Sequence, residues 1–348
     1  MFYIRTDANK IIATGHVMRC MSIADELTAR NIDVCFLTAD HSSDDLIHER
    51  GFKTMCLESQ WDNLEKELST GKIISLLKDD DSIEGIIIDT YYVTEKYLDE
   101  LHKVCKNIYI DDIFSLNSYP VDFLINYNIY GTDLDYKKRC VSDTQLLLGT
   151  KYTPLRKQFQ KVKHEFRNSV KNVFISTGGT DNFNIAGKIL DSIIKKFNSD
   201  SICILDEINF HVISGGMNVN LNYLLDLSKK YENIFVHKNV SNMAEIMTMC
   251  DIAVSACGST MYELCACGVP IITYSFADNQ LPGINRFAEK GVAINCGDAR
   301  RNIELVIDNI VESIIKMSID KAYRKKIANK VEEIICSNGV KEIVDKIV

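Results

Sequence analysis

A histidine directly after a glycine, where a strand hands over to a helix, is placed for acid–base work. In Arg5-Thr6-Asp7-Ala8-Asn9-Lys10-Ile11-Ile12-Ala13-Thr14-Gly15-His16-Val17-Met18-Arg19, a polar loop follows an apolar strand and leads into an amphipathic pattern that starts at His16. Gly15 lets the backbone turn tightly and approach a ligand closely. A neutral imidazole at that place can take a proton from water, as histidine side chains commonly do in catalysis. The positive end of a helix disfavours its charged form. A lone histidine more often packs or caps; the strand–glycine–histidine–helix setting turns the balance toward a base at the rim of a cleft. Arg19, one turn on and on the same face, can hold a phosphate or pair with a carboxylate such as Asp7.

A second set of residues suits phosphate. Glycine-containing turns follow strands at Ser176-Thr177-Gly178-Gly179-Thr180-Asp181, at Ile213-Ser214-Gly215-Gly216 and at Ser255-Ala256-Cys257-Gly258-Ser259-Thr260. In the third turn, backbone N–H groups, the hydroxyls of Ser259 and Thr260 and the start of a helix over Met261–Cys267 combine as a diphosphate cradle. The turn has neither the lysine of a P-loop nor the glycine spacing of a dinucleotide fingerprint, which disfavours ATP hydrolysis and NAD chemistry. Glu263, one turn into the helix, can accept from two vicinal ribose hydroxyls or simply face water.

Apolar β-branched runs alternating with helical patterns must position these groups, which indicates parallel sheets covered on both faces. In the first half the strands are expected at Met1–Arg5, Asp33–Thr38, Gly85–Asp89, Asn107–Asp111 and Phe123–Asn126. Helices are expected over His16–Asn31 and Thr94–Lys106, the second capped by Thr94. The pattern breaks in a basic stretch holding Arg156, Lys157, Lys161, Lys163 and Arg167. It resumes with strands at Asn172–Ser176, Asn209–Ile213, Ile234–His237, Ile252–Ser255 and Pro270–Tyr274, and a helix over Asn182–Phe197. The fold class is therefore α/β, with two Rossmann-like doubly wound domains facing across a cleft. They span residues 1–165 and 168–320, and a helical tail covers 321–348. In open parallel sheets ligands sit at the carboxyl ends of the strands, and between two such domains the cleft is the expected site.

Composition narrows the partners. The chain has 348 residues, 46 % of them hydrophobic and 25 % charged, with a formal net charge of -8, so it lacks the basic surface that nucleic-acid binding requires. No apolar run has the length of a secretion signal or of a membrane span, and a cytoplasmic protein without stable membrane insertion is expected. The 12 cysteines, among them Cys35, Cys203 and Cys250, sit in apolar segments without paired spacing and read as reduced thiols. Cys265 and Cys267 are too close for a zinc knuckle, so neither metal nor cofactor is expected. Oligomeric state is not legible.

Arg5-x-Asp7 followed by Gly15-His16-x-x-Arg19 resembles the opening of the UDP-sugar hydrolases of pseudaminic acid biosynthesis, which cleave UDP-2,4-diacetamido-2,4,6-trideoxy-β-L-altropyranose. Gly-Gly-Thr-Asp at 178–181 and Gly-Ser-Thr-x-x-Glu at 258–263 follow in the family's order. That family is similar in fold to the GT-B N-acetylglucosaminyltransferase that forms lipid II. The resemblance implies a GT-B fold and metal-independent, inverting hydrolysis of a UDP-linked amino sugar in nonulosonic acid biosynthesis, with His16 as the base. It places Tyr91, in Asp89-Thr90-Tyr91, toward the substrate, and the Asn279-Gln280 pair near the sugar and phosphates. Asn126-x-Asn128 and the Gly149-to-Arg156 segment match family segments too, and Arg156 either reaches the diphosphate or faces water. Main chain around Val240 would grip the uracil, and Gly258, Ser259, Thr260 and Glu263 would hold diphosphate and ribose. Asp111 and Asp112 end a strand as in the family and read first as turn caps. The family carries a further glycine where this chain has Ala13, so a stiffer loop is expected. Two other readings stay open: a GT-B glycosyltransferase that uses an acceptor in place of water, and a non-catalytic UDP-sugar-binding subunit.

Overall fold

The computed structural model describes residues 1–162, 165–197, 207–216, 218–335 and 338–348; Lys163 and Cys203 lie outside them. The chain divides into two compact units. One is Met1–Arg156 together with Asn338–Val348, and the other is Lys157–Ser337.

The first unit is built on β1 (Phe2–Thr6), β2 (Val34–Thr38), β3 (Lys53–Cys56), β4 (Gly85–Asp89), β5 (Asn107–Ile110), β6 (Phe123–Asn126) and β7 (Gln145–Leu148). Its helices are α1 (Gly15–Ala29), α2 (Asp44–His48), α3 (Leu64–Thr70), α4 (Lys72–Asp79) and α5 (Glu95–His102). The strands form one parallel sheet in the order β3-β2-β1-β4-β5-β6-β7. Central strands such as Gly85-Ile86-Ile87-Ile88-Asp89 are buried along their whole length, as parallel strands covered on both faces must be. Thr94 accepts from the N–H of Tyr97 at 3.1 Å and caps α5 as the sequence indicates.

The second unit has β8 (Asn172–Ser176), β9 (Asn209–Ser214), β10 (Ile234–Lys238), β11 (Ile252–Ala256), β12 (Ile271–Ser275) and β13 (Ala293–Asp298). Its helices are α6 (Ile185–Phe197), α7 (Leu221–Lys230), α8 (Met243–Met249), α9 (Thr260–Ala266), α10 (Leu281–Glu289), α11 (Ile303–Ile319) and α12 (Lys321–Glu332). The order of this parallel sheet is β10-β9-β8-β11-β12-β13. Gly215 shows why the second turn is glycine-rich. A Cβ there would lie 2.5 Å from the carbonyl oxygen of Gly179, so the turns after β8 and β9 touch backbone to backbone.

Three strands escape the sequence reading: β3, β7 and β13. Each is an edge strand. Edge strands are half-exposed, as in the alternation along Lys53–Cys56, and leave at most a short apolar run, such as the three leucines of β7.

The C-terminal segment divides between the units. α12 belongs to the second, where buried Arg324 donates to the carbonyl oxygens of Met317, Arg167 and Asn168 at 2.9, 2.7 and 3.0 Å. α13 (Gly339–Ile347) belongs to the first. Its Ile343, Val344 and Ile347 are buried, and ion pairs join Arg30 to Asp345 at 2.7 Å and Lys151 to Glu342 at 2.9 Å. A Cβ on Gly339 would land on the carbonyl of Thr153. Gly339→Ala therefore forces backbone apart, and the expected cost is about 1–3 kcal/mol, read as a lower urea midpoint for the full chain.

Candidate functional site

In each sheet the chain runs outward from one strand and then returns to continue on its other side. In the first unit this reversal lies between β1 and β4, which pair in register from Phe2–Gly85 to Thr6–Asp89. A crevice opens at the carboxyl ends of strands where the order reverses. His16 enters from the loop after β1, and Asp89 is the last residue of β4.

These two residues meet. Nδ1 of His16 lies 2.6 Å from Oδ1 of Asp89. Asp89 is fully buried. Burial alone pushes its carboxyl up, but Arg19 beside it, with His16, brings it well below the usual carboxylate range. Nη2 of Arg19 also lies 3.1 Å from Nδ1; an ionised carboxylate only accepts, so the shorter contact to Asp89 assigns the imidazole proton to Nδ1. The lone pair is then on Nε2. That atom has no hydrogen bond among the described residues and is not one of the wholly buried unpaired polar atoms. The Tyr91 ring packs edge-on against the imidazole, with centroids 4.4 Å apart.

The sequence puts His16 at a cleft rim; in the structure the ring is only 6 % exposed, held from inside by a carboxylate. Arg19 also differs from expectation. Its Nε and Nη2 donate to the two oxygens of Asp89 at 2.6 and 2.5 Å, and Nη1 donates to Asp112 at 2.6 Å and to the Tyr127 hydroxyl at 2.7 Å. The guanidinium is consumed by these partners and does not pair with Asp7, which takes Arg5 at 2.5 Å and the N–H of Ala39 at 2.7 Å. Arg5 in turn forks onto Glu67 at 3.0 and 2.8 Å. Arg19 thus positions the dyad, and its fork cannot reach a phosphate without giving up Asp89 or Asp112.

Asp111 and Asp112 part ways. Asp111 accepts from the N–H groups of Ile113 and Phe114 at 3.0 and 3.2 Å and caps a turn. Asp112 gathers Arg19, Asn128 at 3.0 Å and the Tyr91 hydroxyl at 3.4 Å. Reading Asp112 as a turn cap missed this, and Tyr127 was missed altogether. The signal available for both was their place just past the ends of β5 and β6.

Ala13 adopts φ 57, the left-handed region in which glycine is at ease. The substitution at that position therefore keeps the backbone conformation a glycine would favour and stores strain in it. Gly15 has nothing within 4 Å of a built Cβ.

In the second unit the reversal lies between β8 and β11. The turn after β11 starts α9, a helix of seven residues. Gly258 donates its N–H to Ala256 at 2.9 Å, so it is not an open donor. The N–H groups and hydroxyls of Ser259 and Thr260 have no hydrogen bond among the described residues. Glu263 is half-buried in the first turn.

The turn after β8 is not a helix start: α6 begins at Ile185, and its first donors, the N–H groups of Ile185 and Ala186, are taken by the Asp181 carboxylate at 2.7 and 3.1 Å. Gly178, at φ 87, and Gly179 are exposed, and Thr180 is half-buried. Val240 is half-buried, two residues past β10 and next to Asn239 at φ 50. Gln280 accepts the N–H of Phe276 on its Oε1 at 2.9 Å. Asn279 is exposed in the same loop, and Arg156 is half-buried at the end of the first unit's main segment.

Burial pushes the thiols of Cys257 and Cys267 up to about 12, so both stay protonated. No helix among the described residues is long and apolar enough to cross a membrane.

No protein-family model matches the chain. It is 24 % identical over 293 residues to the UDP-2,4-diacetamido-2,4,6-trideoxy-beta-L-altropyranose hydrolase of Campylobacter jejuni, covering 83 % of this chain and 97 % of that one. It is 22 % identical to the spore coat polysaccharide biosynthesis protein SpsG of Bacillus subtilis, over 81 % of this chain and 79 % of that one. An uncharacterized protein of Methanocaldococcus jannaschii is 29 % identical over 77 % of this chain, which spans only about half, 54 %, of that relative. Among solved structures, Acinetobacter baumannii MurG matches with TM-score 0.65 at 12 % identity over 99 % of both chains. The rhamnosyltransferase SpnG bound to thymidine diphosphate matches with TM-score 0.60 at 12 % identity, over 99 % of both chains. The two parallel α/β units have the GT-B glycosyltransferase fold.

Because its native carboxyl titrates below the unfolded value near 3.9, Asp89 stabilises the fold fully above that pH and loses this contribution as pH falls toward its own depressed value. The stability gap between wild type and Asp89→Asn, from urea titrations at several pH values, is expected to be largest near neutrality and to close below about pH 4. Ala13→Gly trades relieved left-handed strain against a floppier unfolded chain and is expected to shift stability by less than about 1 kcal/mol while keeping activity.

Proposed function

We propose that the chain hydrolyses a UDP-linked 2,4-diacetamido-2,4,6-trideoxyhexose to UDP and free sugar, with inversion, in nonulosonic (pseudaminic) acid biosynthesis. The observation that carries the reading is the His16–Asp89 contact, which holds Nδ1 on a buried carboxylate and leaves Nε2 as the nitrogen without a hydrogen bond among the described residues. The low-identity relationship to a UDP-sugar hydrolase supports the substrate class.

In this mechanism Nε2 of His16 takes a proton from water as the water oxygen bonds to the anomeric carbon. The bond from that carbon to the β-phosphate oxygen breaks, and its electron pair leaves with UDP. Asp89 stabilises the imidazolium that forms, as a buried carboxylate does for a histidine base. UDP is a good leaving group, so the charge it gains needs neutralising donors more than an acid, and the N–H and hydroxyl groups of Ser259 and Thr260 supply them. Gly178, Gly179 and Thr180 add loop donors, Glu263 takes the ribose, and main chain at Val240 takes the uracil. Asn279, Gln280 and Tyr91 contact the sugar. Arg19 acts through Asp89, and Arg156 is a candidate phosphate contact. The reaction written this way calls for no metal ion or cofactor.

His16→Ala is expected to lower UDP release about 10²–10⁴-fold, with UDP affinity by calorimetry unchanged. The assay contains UDP-diacetamido sugar and no acceptor. Turnover by the mutant near the wild-type rate rules out His16 as the base. Wild-type UDP release that appears only on adding a sugar or lipid acceptor makes the enzyme a transferase, the reading its fold relatives favour.

A further inference from the structure

The second unit contains a pocket of about 250 Å³, counting its open mouth, lined by Thr177, Thr180, Asp181, Asn182, Phe183, Ile185 and Phe276. It draws on the loop after β8 and the loop after β12, and the strand between these two in the sheet is β11, whose turn carries Ser259 and Thr260. The pocket therefore stands at the reversal of this sheet, beside the candidate diphosphate turn. The space inside it is about 30 Å³, far below the roughly 300–1,000 Å³ of pockets that swallow a whole drug-sized ligand, and suits a small substituent.

Its chemistry is divided. Phe183, 44 % exposed, Phe276 and Ile185 give apolar walls. The Thr180 hydroxyl and the Asn182 amide have no hydrogen bond among the described residues and stand as donors and acceptors. Asp181 does not: its oxygens cap α6, and this fixes the loop that carries Thr180, Asn182 and Phe183. Close to Asp181 lies the hydroxyl of Tyr274, fully buried and without a partner among the described residues. Such a pocket mismatches a bare hydroxyl, which gains nothing from phenylalanine walls. It also mismatches a phosphate, which would meet the Asp181 carboxylate. An amide with a small apolar tail satisfies both halves: carbonyl and N–H toward Thr180 and Asn182, methyl between the aromatic rings.

We propose that this pocket is the reader of an N-acyl group on the nucleotide-linked sugar, with Phe183 and Phe276 as the specificity-determining residues. The inference deepens the hydrolase reading and rests on it for the sugar, though not for the pocket.

The test measures binding in a His16→Ala background, where substrate stays intact, by calorimetry with three probes: UDP, the UDP-2,4-diacetamido sugar, and the same UDP-sugar with both amines unacylated. Filling or emptying a methyl-sized pocket changes selectivity about 10–200-fold. Phe183→Ala and Phe276→Ala are each expected to weaken the diacetamido ligand about tenfold or more while leaving UDP and the unacylated sugar within about twofold. Phe183→Ala changes an exposed side chain and keeps the test open if the Phe276 variant misfolds. Unchanged acyl selectivity in Phe183→Ala overturns the proposal. So does an equal loss for all three probes, which would put base or phosphate in the pocket. If wild type binds the diacetamido sugar selectively but releases no UDP, the hydrolase reading fails and the pocket assignment stands.

Discussion

Asp89 is a carboxylate with no access to water, and a buried charge persists only when it is paired and hydrogen-bonded. Its two oxygens take Arg19 from one side and His16 from another. The rest of the first unit's site follows from satisfying that charge. Arg19 brings a positive charge of its own into the interior, and Asp112 and Tyr127 are what balance and cover it. Asn128 and Tyr91 then attach to Asp112. A single enclosed anion thereby organises side chains from β4, α1 and the loops after β5 and β6. Orienting an imidazole this way means that its tautomer is decided before any ligand arrives, which is how a preorganised base avoids reorganisation during reaction.

The two units apply one topological device to different chemistry. In each, a sheet reverses direction beside its first strand, and loops from the two strands flanking the reversal converge. In the first unit the converging groups are ionisable: a histidine and an aspartate. In the second they are small residues, hydroxyls and backbone N–H groups, with aromatic walls beside them. The division matches what each half must do in the proposed reaction. Proton transfer needs a tuned side chain, whereas holding a nucleotide is done well by main chain and helix starts.

Much of this was legible in the sequence because burial leaves a strong trace. The central strands appear as unbroken apolar runs, and Gly15-His16 stands out at the junction of β1 and α1. Asp89 was visible as a strand-end acid, but its bond to His16 joins residues far apart in sequence, and no local pattern encodes which of several acids a buried arginine will choose. Hence Arg19 was read as a phosphate holder or as the partner of a carboxylate such as Asp7, which Arg5 takes instead, and Asp112 was grouped with Asp111. A helix was expected directly after the Gly178–Thr180 turn because Asn182 and its neighbours fit a helical pattern. The structure delays α6 to Ile185, since Asp181 and Asn184 adopt positive φ and Asp181 caps the helix with its own side chain. Edge strands β3, β7 and β13 left too little apolar contrast to register.

The return of α13 to the first unit makes that unit discontinuous in sequence. During synthesis the ribosome has to deliver the whole second unit before the helix that packs beside α1 exists. Until then the apolar face of the first unit that α13 covers stays open. Domains that can close early do so during translation, and unfinished ones expose surface that aggregates. The connectivity thus makes completion of the first unit depend on residues that follow the second. A fusion or truncation that disturbs Asn338–Val348 would act on the unit that carries His16, although the disturbed residues lie at the far end of the chain.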